Sequence, residues 1–308
     1  MFGPLLLALL LVQGWAEATD PPVNRLLFGG DVMLSRTVYR TAQQRQDPAY
    51  PFRKIAGAFS AADLAFVNLE SPFAATGPYF DLRMVFRAHP SMLEGLKLAG
   101  IDVVSTANNH ARDAGSQGVE FTLELLERNG IQAVGTARTP EEAYGGVVVE
   151  RKGIRFGFLA YTEDQRNGNH ADTDPRIAML DETALRTGIE SLRRRCDVVI
   201  VSMHAGWEYS KKPNRLQTRM ARLAVDSGAS IVVGHHPHVP QPVEPYKKGV
   251  IFYSLGNLVF DQEHLKADEQ GVIGEVIFFG RAMVDFQVHR IQINHTAPEF
   301  LPAIRARR

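Results

Sequence analysis

The chain has 308 residues, with 34 basic side chains against 34 acidic ones and a single cysteine. That length suits one large domain, or one domain with a small appendage, and a core of this size needs no staples. The balanced charge and the lack of a polybasic run argue against a nucleic-acid groove and an anionic membrane surface, and the lone Cys196 excludes an intrachain disulfide.

Residues 1–18 read as a secretory signal peptide: residues 5–12 are continuously apolar, and Ala16-Glu17-Ala18 is a small-x-small cleavage site. The run is short of the roughly 20 residues that span a bilayer. It lacks a preceding Lys or Arg, so an uncleaved amino-terminal anchor is the alternative. The mature chain is expected to be soluble and to work in the periplasm or outside the cell. Residues 25–28 (RLLF) predict a strand, after which Gly29-Gly30-Asp31 turns the chain. Residues 64–67 (LAFV) predict a second strand, followed by Asn68-Leu69-Glu70. A helix is expected over residues 90–98, a strand over 102–105 ending at Asn108-Asn109-His110, a helix over 116–128 closed by Asn129-Gly130, and a short strand over 132–134. Residues 146–150 and 154–160 flank Arg151-Lys152-Gly153 as a hairpin.

Farther on, a helix over 181–195 leads through Cys196 to a buried strand over 197–202 that ends at His204. Cys196 reads as a small buried apolar residue rather than a catalytic thiol. A helix over 213–226, with Pro213 in its first turn, precedes a strand over 230–233 ending in Gly234-His235-His236-Pro237-His238. Residues 250–255 form a strand ending at Gly256-Asn257, and residues 271–279 and 283–293 form two antiparallel strands. Alternating strands and helices imply a partly parallel sheet, and the hairpins make it mixed. The expected architecture is α/β, a four-layer α/β/β/α sandwich with mixed sheets, in one domain over residues 24–295.

The chemistry-bearing residues share one feature. Asp31, Glu70, Asn109, His110, His204, His235, His236, His238 and Asn257 all fall just beyond the carboxyl end of a predicted strand, where parallel strands deliver ligand loops to one edge of a sheet. Imidazole, carboxylate and amide carbonyl together suit Mn, Fe or Zn. Two His separated by one residue point to opposite faces of a true strand. Gly234 and Pro237 argue for a turn, in which both can ligate. Taken singly, several positions have plainer readings. Asp31 fits a turn cap, Glu70 an exposed loop carboxylate, His204 a satisfied structural histidine, and Asp113 either a helix cap or a residue orienting His110. Taken together, they point to one or two divalent ions that activate water for attack on a phosphate ester or amide, with His110 as the proton donor.

Six blocks carry a resemblance. Residues 28–34 (FGGDVML), 67–70 (VNLE), 106–110 (TANNH), 203–208 (MHAGWE), 234–241 (GHHPHVPQ) and 253–262 (YSLGNLVFDQ) are similar, in order and spacing, to those of the CapA/PgsA-type capsule (poly-γ-glutamate) synthesis proteins. The resemblance implies a metallophosphatase-like fold. By position, it also implies metal ligation by Asp31, Glu70, Asn109, His204, His236 and His238, with His110 as the general acid. Metallophosphatases usually begin with Asp-x-His, and here the third position is Met33, one ligand short. Arg36, Arg83, Arg87 and Arg112 lie near the blocks. Arg87, Arg112, His235 and Asn257 are the expected substrate contacts. The implied partners are an anionic polymer or phosphoester and membrane-bound capsule synthase subunits, with no nucleic acid. Two functions compete: a metal-dependent hydrolase, and a non-catalytic polymer-binding accessory subunit.

Overall fold

The computed structural model describes residues 21–81, 83–164, 170, 172–262 and 270–302. The leader expected over residues 1–18 lies outside them. The first part of the chain carries β1 (Val23–Val32), α1 (Arg36–Gln44), α2 (Ala56–Ser60), β2 (Leu64–Leu69), α3 (Leu93–Leu98), β3 (Val103–Ser105), α4 (Gly115–Arg128) and β4 (Gln132–Val134). The middle carries α5 (Pro140–Gly145), β5 (Val147–Arg151), β6 (Ile154–Thr162), α6 (Glu182–Leu192), β7 (Val198–His204), α7 (Arg215–Ser227) and β8 (Ile231–His235). The last part carries β9 (Val243–Tyr246), β10 (Gly249–Phe252), β11 (Asn257–Val259), β12 (Gly271–Phe279), β13 (Ala282–Asn294) and β14 (Ala297–Phe300).

Two mixed sheets result. One runs β14-β13-β12-β1-β2-β3-β4, with β11 also pairing β1. The other runs β5-β6-β7-β8-β10-β9. The period-two alternation of the strands explains why the sheets stack. On β1, Leu26 and Phe28 point into the core between the sheets while Leu27 points outward, and β2 splits Leu64 and Phe66 from Ala65 and Val67 in the same way. On β7, Val198 and Ile200 face inward and Val199 and Val201 outward. The central strands of each sheet are thus apolar on both faces and bury both, whereas β13 at one side is exposed or half-buried along most of its length. The outer face of the first sheet is covered by Val38 of α1, Phe59 of α2, Leu96 of α3 and Leu126 of α4. The outer face of the second is covered by Leu185 and Ile189 of α6 and Met220 and Ala224 of α7. This is the four-layer sandwich that the sequence implies. Phe66, fully buried, stacks on Phe158 of the facing sheet at 5.7 Å, so the two sheets meet through aromatic contact.

Several boundaries differ from expectation for local reasons. Gly29-Gly30-Asp31 does not turn the chain, because β1 continues to Val32. A Cβ on Gly30 would sit 1.9 Å from the carbonyl oxygen of Gly256, so the glycine lets β11 close on β1. Pro213 precedes α7 rather than opening it, since Asn214 caps the helix and forms a reciprocal capping box with Gln217. The strand expected over residues 250–255 breaks after Phe252, and Asn257 begins β11 instead of following a strand end.

Candidate metal centre

Parallel pairing sets the site. β1 pairs β2 and β11 in parallel, with Asp31 opposite Asn68 and Asn257. In the other sheet β7 pairs β8 in parallel with His204 opposite His235. The carboxyl ends of both sheets therefore open toward each other, and the loops after β2, β3, β7 and β8 converge there. The turn after β8 is sharp: His236 and His238 take left-handed backbone angles, φ 94° and 58°, so both imidazoles reach the same side instead of alternating.

Asp31, Glu70 and His238 each present a ligand atom, and these atoms lie within 4.8 Å of one another; all three residues are buried. One oxygen of Glu70, Oε1, lies 3.7 Å from His238 Nε2 and 3.9 Å from His204 Nε2. His204 Nε2 also lies 2.8 Å from Asn109 Oδ1 and 3.2 Å from His236 Nδ1. Asp31 Oδ2 is 3.4 Å from His238 Nδ1. The side chains of Asp31, Glu70, Asn109, His204, His236 and His238 are thus brought together from five places in the chain. Neither carboxylate oxygen of Glu70 has a hydrogen-bond partner among the described residues, although the side chain is wholly buried. A buried carboxylate without donors is costly unless a cation meets it. The donor set, two carboxylates, three imidazoles and an amide oxygen, fits a divalent transition-metal ion.

The electrostatics divide the two carboxyls. Burial alone would raise Asp31, but its contacts with His235 and His238 outweigh that and hold it well below the usual carboxylate range. Burial, and then the charge of Asp31, push Glu70 well above that range. Burial and the neighbouring His236 keep His204 far below the ordinary imidazole value. Burial, with His238 alongside, brings His236 down to about 4. His204 and His236 are therefore neutral near pH 7, the form that binds a metal.

His110 donates through Nδ1 to Asp113 Oδ2 at 2.6 Å, and the same oxygen accepts the Phe86 N–H at 2.5 Å. Phe86 stacks on the His110 ring at 3.8 Å. Asp113 does not cap α4, whose N-cap is Ala114. It orients His110. Beside Asn109, His204 and His236 opens a cavity of about 410 Å³, walled on its other side by Glu163, Leu180 and Leu216.

The expected substrate contacts sit elsewhere. His235 is fully buried, with Nδ1 3.3 Å from Asp31 Oδ1 and its ring 6.1 Å from Phe66, so it lies behind Asp31 rather than in the crevice. Asn257 is buried against His238. Arg112 is buried and pairs with Asp172 and Asp174, and Arg87 donates to the Asp113 carbonyl. Arg36 forms a two-pronged pair with Asp261, and Arg83 pairs with Asp81. Met33 is buried in the outer core, and its sulfur accepts from the Ser35 N–H and hydroxyl.

The sequence reading missed Asn68 and Asn108. Asn68 Nδ2 donates to Asp31 Oδ1 at 2.8 Å and lies 3.3 Å from His204 Nδ1. Asn108 Nδ2 donates to the Leu69 carbonyl at 2.8 Å, tying the loop after β3 to the end of β2. The available signal for Asn68 was an asparagine inside an otherwise apolar strand; Asn108, in the loop after β3, carried none.

The family model of the bacterial capsule synthesis protein PGA_cap matches residues 25–262. The chain belongs to that family. It is 30% identical to the PGA biosynthesis protein CapA of Bacillus subtilis, over 88% of this chain and 74% of the relative. It is 28% identical to a probable polyglutamine synthesis accessory protein of Mycobacterium tuberculosis, over 82% of this chain and 78% of the relative. Among solved structures, a novel phosphatase from Mycoplasma pneumoniae superposes with TM-score 0.57 at 16% identity, covering 88% of this chain and 94% of that one. The NAD nucleotidase of Haemophilus influenzae gives TM-score 0.53 at 11% identity, covering 92% of this chain and 54% of that one. At these identities the structures speak for the fold alone. This PGA_cap member has a metallophosphatase-like architecture.

Proposed function

We propose that this chain is a metal-dependent hydrolase of capsule metabolism, acting on γ-glutamyl amide bonds of a poly-γ-glutamate polymer or on a related phosphoester. The observation that carries the reading is Glu70: wholly buried, with no hydrogen-bond donor to either oxygen among the described residues, and between His204 and His238. Glu70 would be shared, with Asp31 and His238 on one side and Asn109, His204 and His236 on the other. Mn, Fe or Zn fits these donors. Bound ions would polarise the electrophile and bring the pKa of a water down to about 7. The chain's own residues supply the rest. Asp113 holds the His110 ring through Nδ1, which leaves Nε2 to deliver a proton to the departing amine or alcohol. The cavity beside Asn109 offers room for the chain of the substrate.

A second reading, a non-catalytic accessory subunit that binds polymer or a membrane synthase, is favoured by Met33. That residue stands where metallophosphatases usually place a histidine, and it packs in the core. Arg36, Arg87 and Arg112 favour the hydrolase, because each is taken up by a partner within the chain rather than presented as a polyanion clamp, whereas Arg83, paired with Asp81, stays exposed. The proposal extends to location: residues 1–18 direct export to the periplasm or beyond. Amino-terminal sequencing of the exported chain checks this, and an intact Met1 in the cytoplasm contradicts it.

The functional test pairs metal analysis of the purified protein with a screen of γ-glutamyl amides and phosphoesters. Stoichiometric metal and turnover are expected. His110→Ala should keep the metal and lose about 10²- to 10⁴-fold in kcat. Metal without turnover supports the accessory reading, and a protein that binds no divalent ion overturns both the centre and the hydrolase.

A further inference from the structure

The block at residues 253–262 ends the site on the side where Met33 offers no donor, and the proposed centre uses none of its side chains. Its placement is nevertheless specific. Asn257 opens β11 directly opposite Asp31, and Asp31 N–H donates to the Gly256 carbonyl at 2.9 Å. Asn257 Oδ1 lies 3.0 Å from His238 Nδ1. Asn257 Nδ2 donates to Gln262 Oε1 at 2.9 Å, and Gln262 Nε2 donates to the Tyr209 hydroxyl at 3.1 Å. Tyr209 follows β7 on the loop after His204 and is held by a bond from its N–H to the Pro237 carbonyl. A continuous chain of hydrogen bonds therefore joins the loop after β7, the segment after β11 and the turn after β8.

We propose that Asn257 and Gln262 are positioning residues that fix His238 as the Nδ1–H tautomer, so that Nε2 offers its lone pair toward Glu70. The polarity follows from a group that can only accept. Asp31 Oδ2 lies 3.4 Å from His238 Nδ1, and a carboxylate has no proton to give, so Nδ1 must carry one. Asn257 then shows its oxygen to His238 and its nitrogen to Gln262. Gln262 in turn shows its nitrogen to Tyr209. Packing completes the constraint, because Phe260 lies 4.8 Å from the His238 ring. A metal-binding imidazole generally donates its second ring nitrogen to an outer acceptor, and loss of that acceptor costs about 10- to 100-fold in metal affinity. On the Met33 side His238 is the one imidazole among the proposed ligands, so its orientation carries more weight there than it would with two.

The inference rests on the metal-centre reading, and two measurements keep them apart. In the metal-free protein, long-range ¹H–¹⁵N correlation spectra near pH 7 report which nitrogen of His238 is protonated. The expected result is Nδ1–H in wild type, with a smaller Nδ1–H fraction in Asn257→Ala, where Asp31 Oδ2 at 3.4 Å is the remaining acceptor. Calorimetric titration with Zn²⁺ reports affinity. Asn257→Ala should weaken binding by about 10- to 100-fold, Gln262→Ala less, and Asn257→Asp, which keeps the acceptor toward His238 but loses the donor toward Gln262, should weaken it no more than Gln262→Ala does. Gln262 lies outside the core, so its variant reports even where Asn257→Ala folds poorly. An Nε2–H tautomer in wild type, or unchanged tautomer and affinity in both alanine variants, overturns the relay. A wild-type protein that takes up no Zn²⁺ overturns the metal-centre reading instead, while the spectra still decide the tautomer.

Discussion

The two halves of the proposed centre are built differently. Around Asp31 the donors are two carboxylates and one imidazole, held by β1, the end of β2 and a turn, with Met33 packed into the core beside them. Around His204 the donors are two imidazoles and an amide oxygen, and they face a cavity of about 410 Å³. The first half is closed in by Phe260 and by the Asn257–Gln262–Tyr209 chain. The second opens on that cavity. Glu70 belongs to both. The difference teaches that one carboxylate can face two unequal donor sets, because the donors on its two sides come from separate strands and loops.

The strongest way to break the comparison is to remove what the halves share. Glu70→Gln keeps shape and removes the charge. The wild-type protein is expected to gain about 2.7 kcal/mol of stability at a divalent-ion concentration a hundredfold above Kd. The variant should gain none, as read from thermal melting with and without metal. A variant that still gains the full amount would mean that the halves bind independently of Glu70.

A smaller effect should separate the halves. His204→Ala is expected to weaken one ion and spare the other, and His238→Ala the reverse. Plasma emission analysis after dialysis should show each variant short of one metal where wild type holds two. If wild type holds only one, the variant that empties the protein names the half that binds it. Equal loss in both would erase the proposed asymmetry.

The smallest effect lies away from the proposed centre and acts as a control. Arg176 beside Asp174 holds that carboxyl at about 2 despite its burial. The folded value lies below the unfolded one, so the contribution is complete above about pH 4 and is lost as pH falls through about 2. Asp174→Asn should cost on the order of 1 kcal/mol at pH 7, discounted for solvent screening, with no change in metal content. Melting curves that converge with wild type near pH 2 are the expected pattern.

Much of this was legible because strand-end residues in a partly parallel sheet must share an edge, so Asp31, Asn109, His204 and His238 could be grouped from a one-dimensional pattern. Three things were not legible. Asn68 and Asn108 look like ordinary polar residues, and only the pairing of β1, β2 and β3 turns them into the brace behind Asp31. β11 is three residues long and follows a glycine, too short for alternation to register, so Asn257 read as a loop residue facing substrate. The arginines near the blocks looked free because their partners, such as Asp261 for Arg36 and Asp172 for Arg112, are distant in sequence. Charge neutralisation across the fold is a tertiary property, and a local window does not contain it.

The most direct measurement is a crystal structure of the protein soaked in Mn²⁺, with anomalous scattering used to place the ions. Density bound to a Glu70 oxygen at about 2.0–2.2 Å, with imidazole nitrogens in the same shell, is the expected result. An anomalous map with no peak near Glu70, and that carboxylate paired with protein or water donors instead, would contradict a shared cation centre.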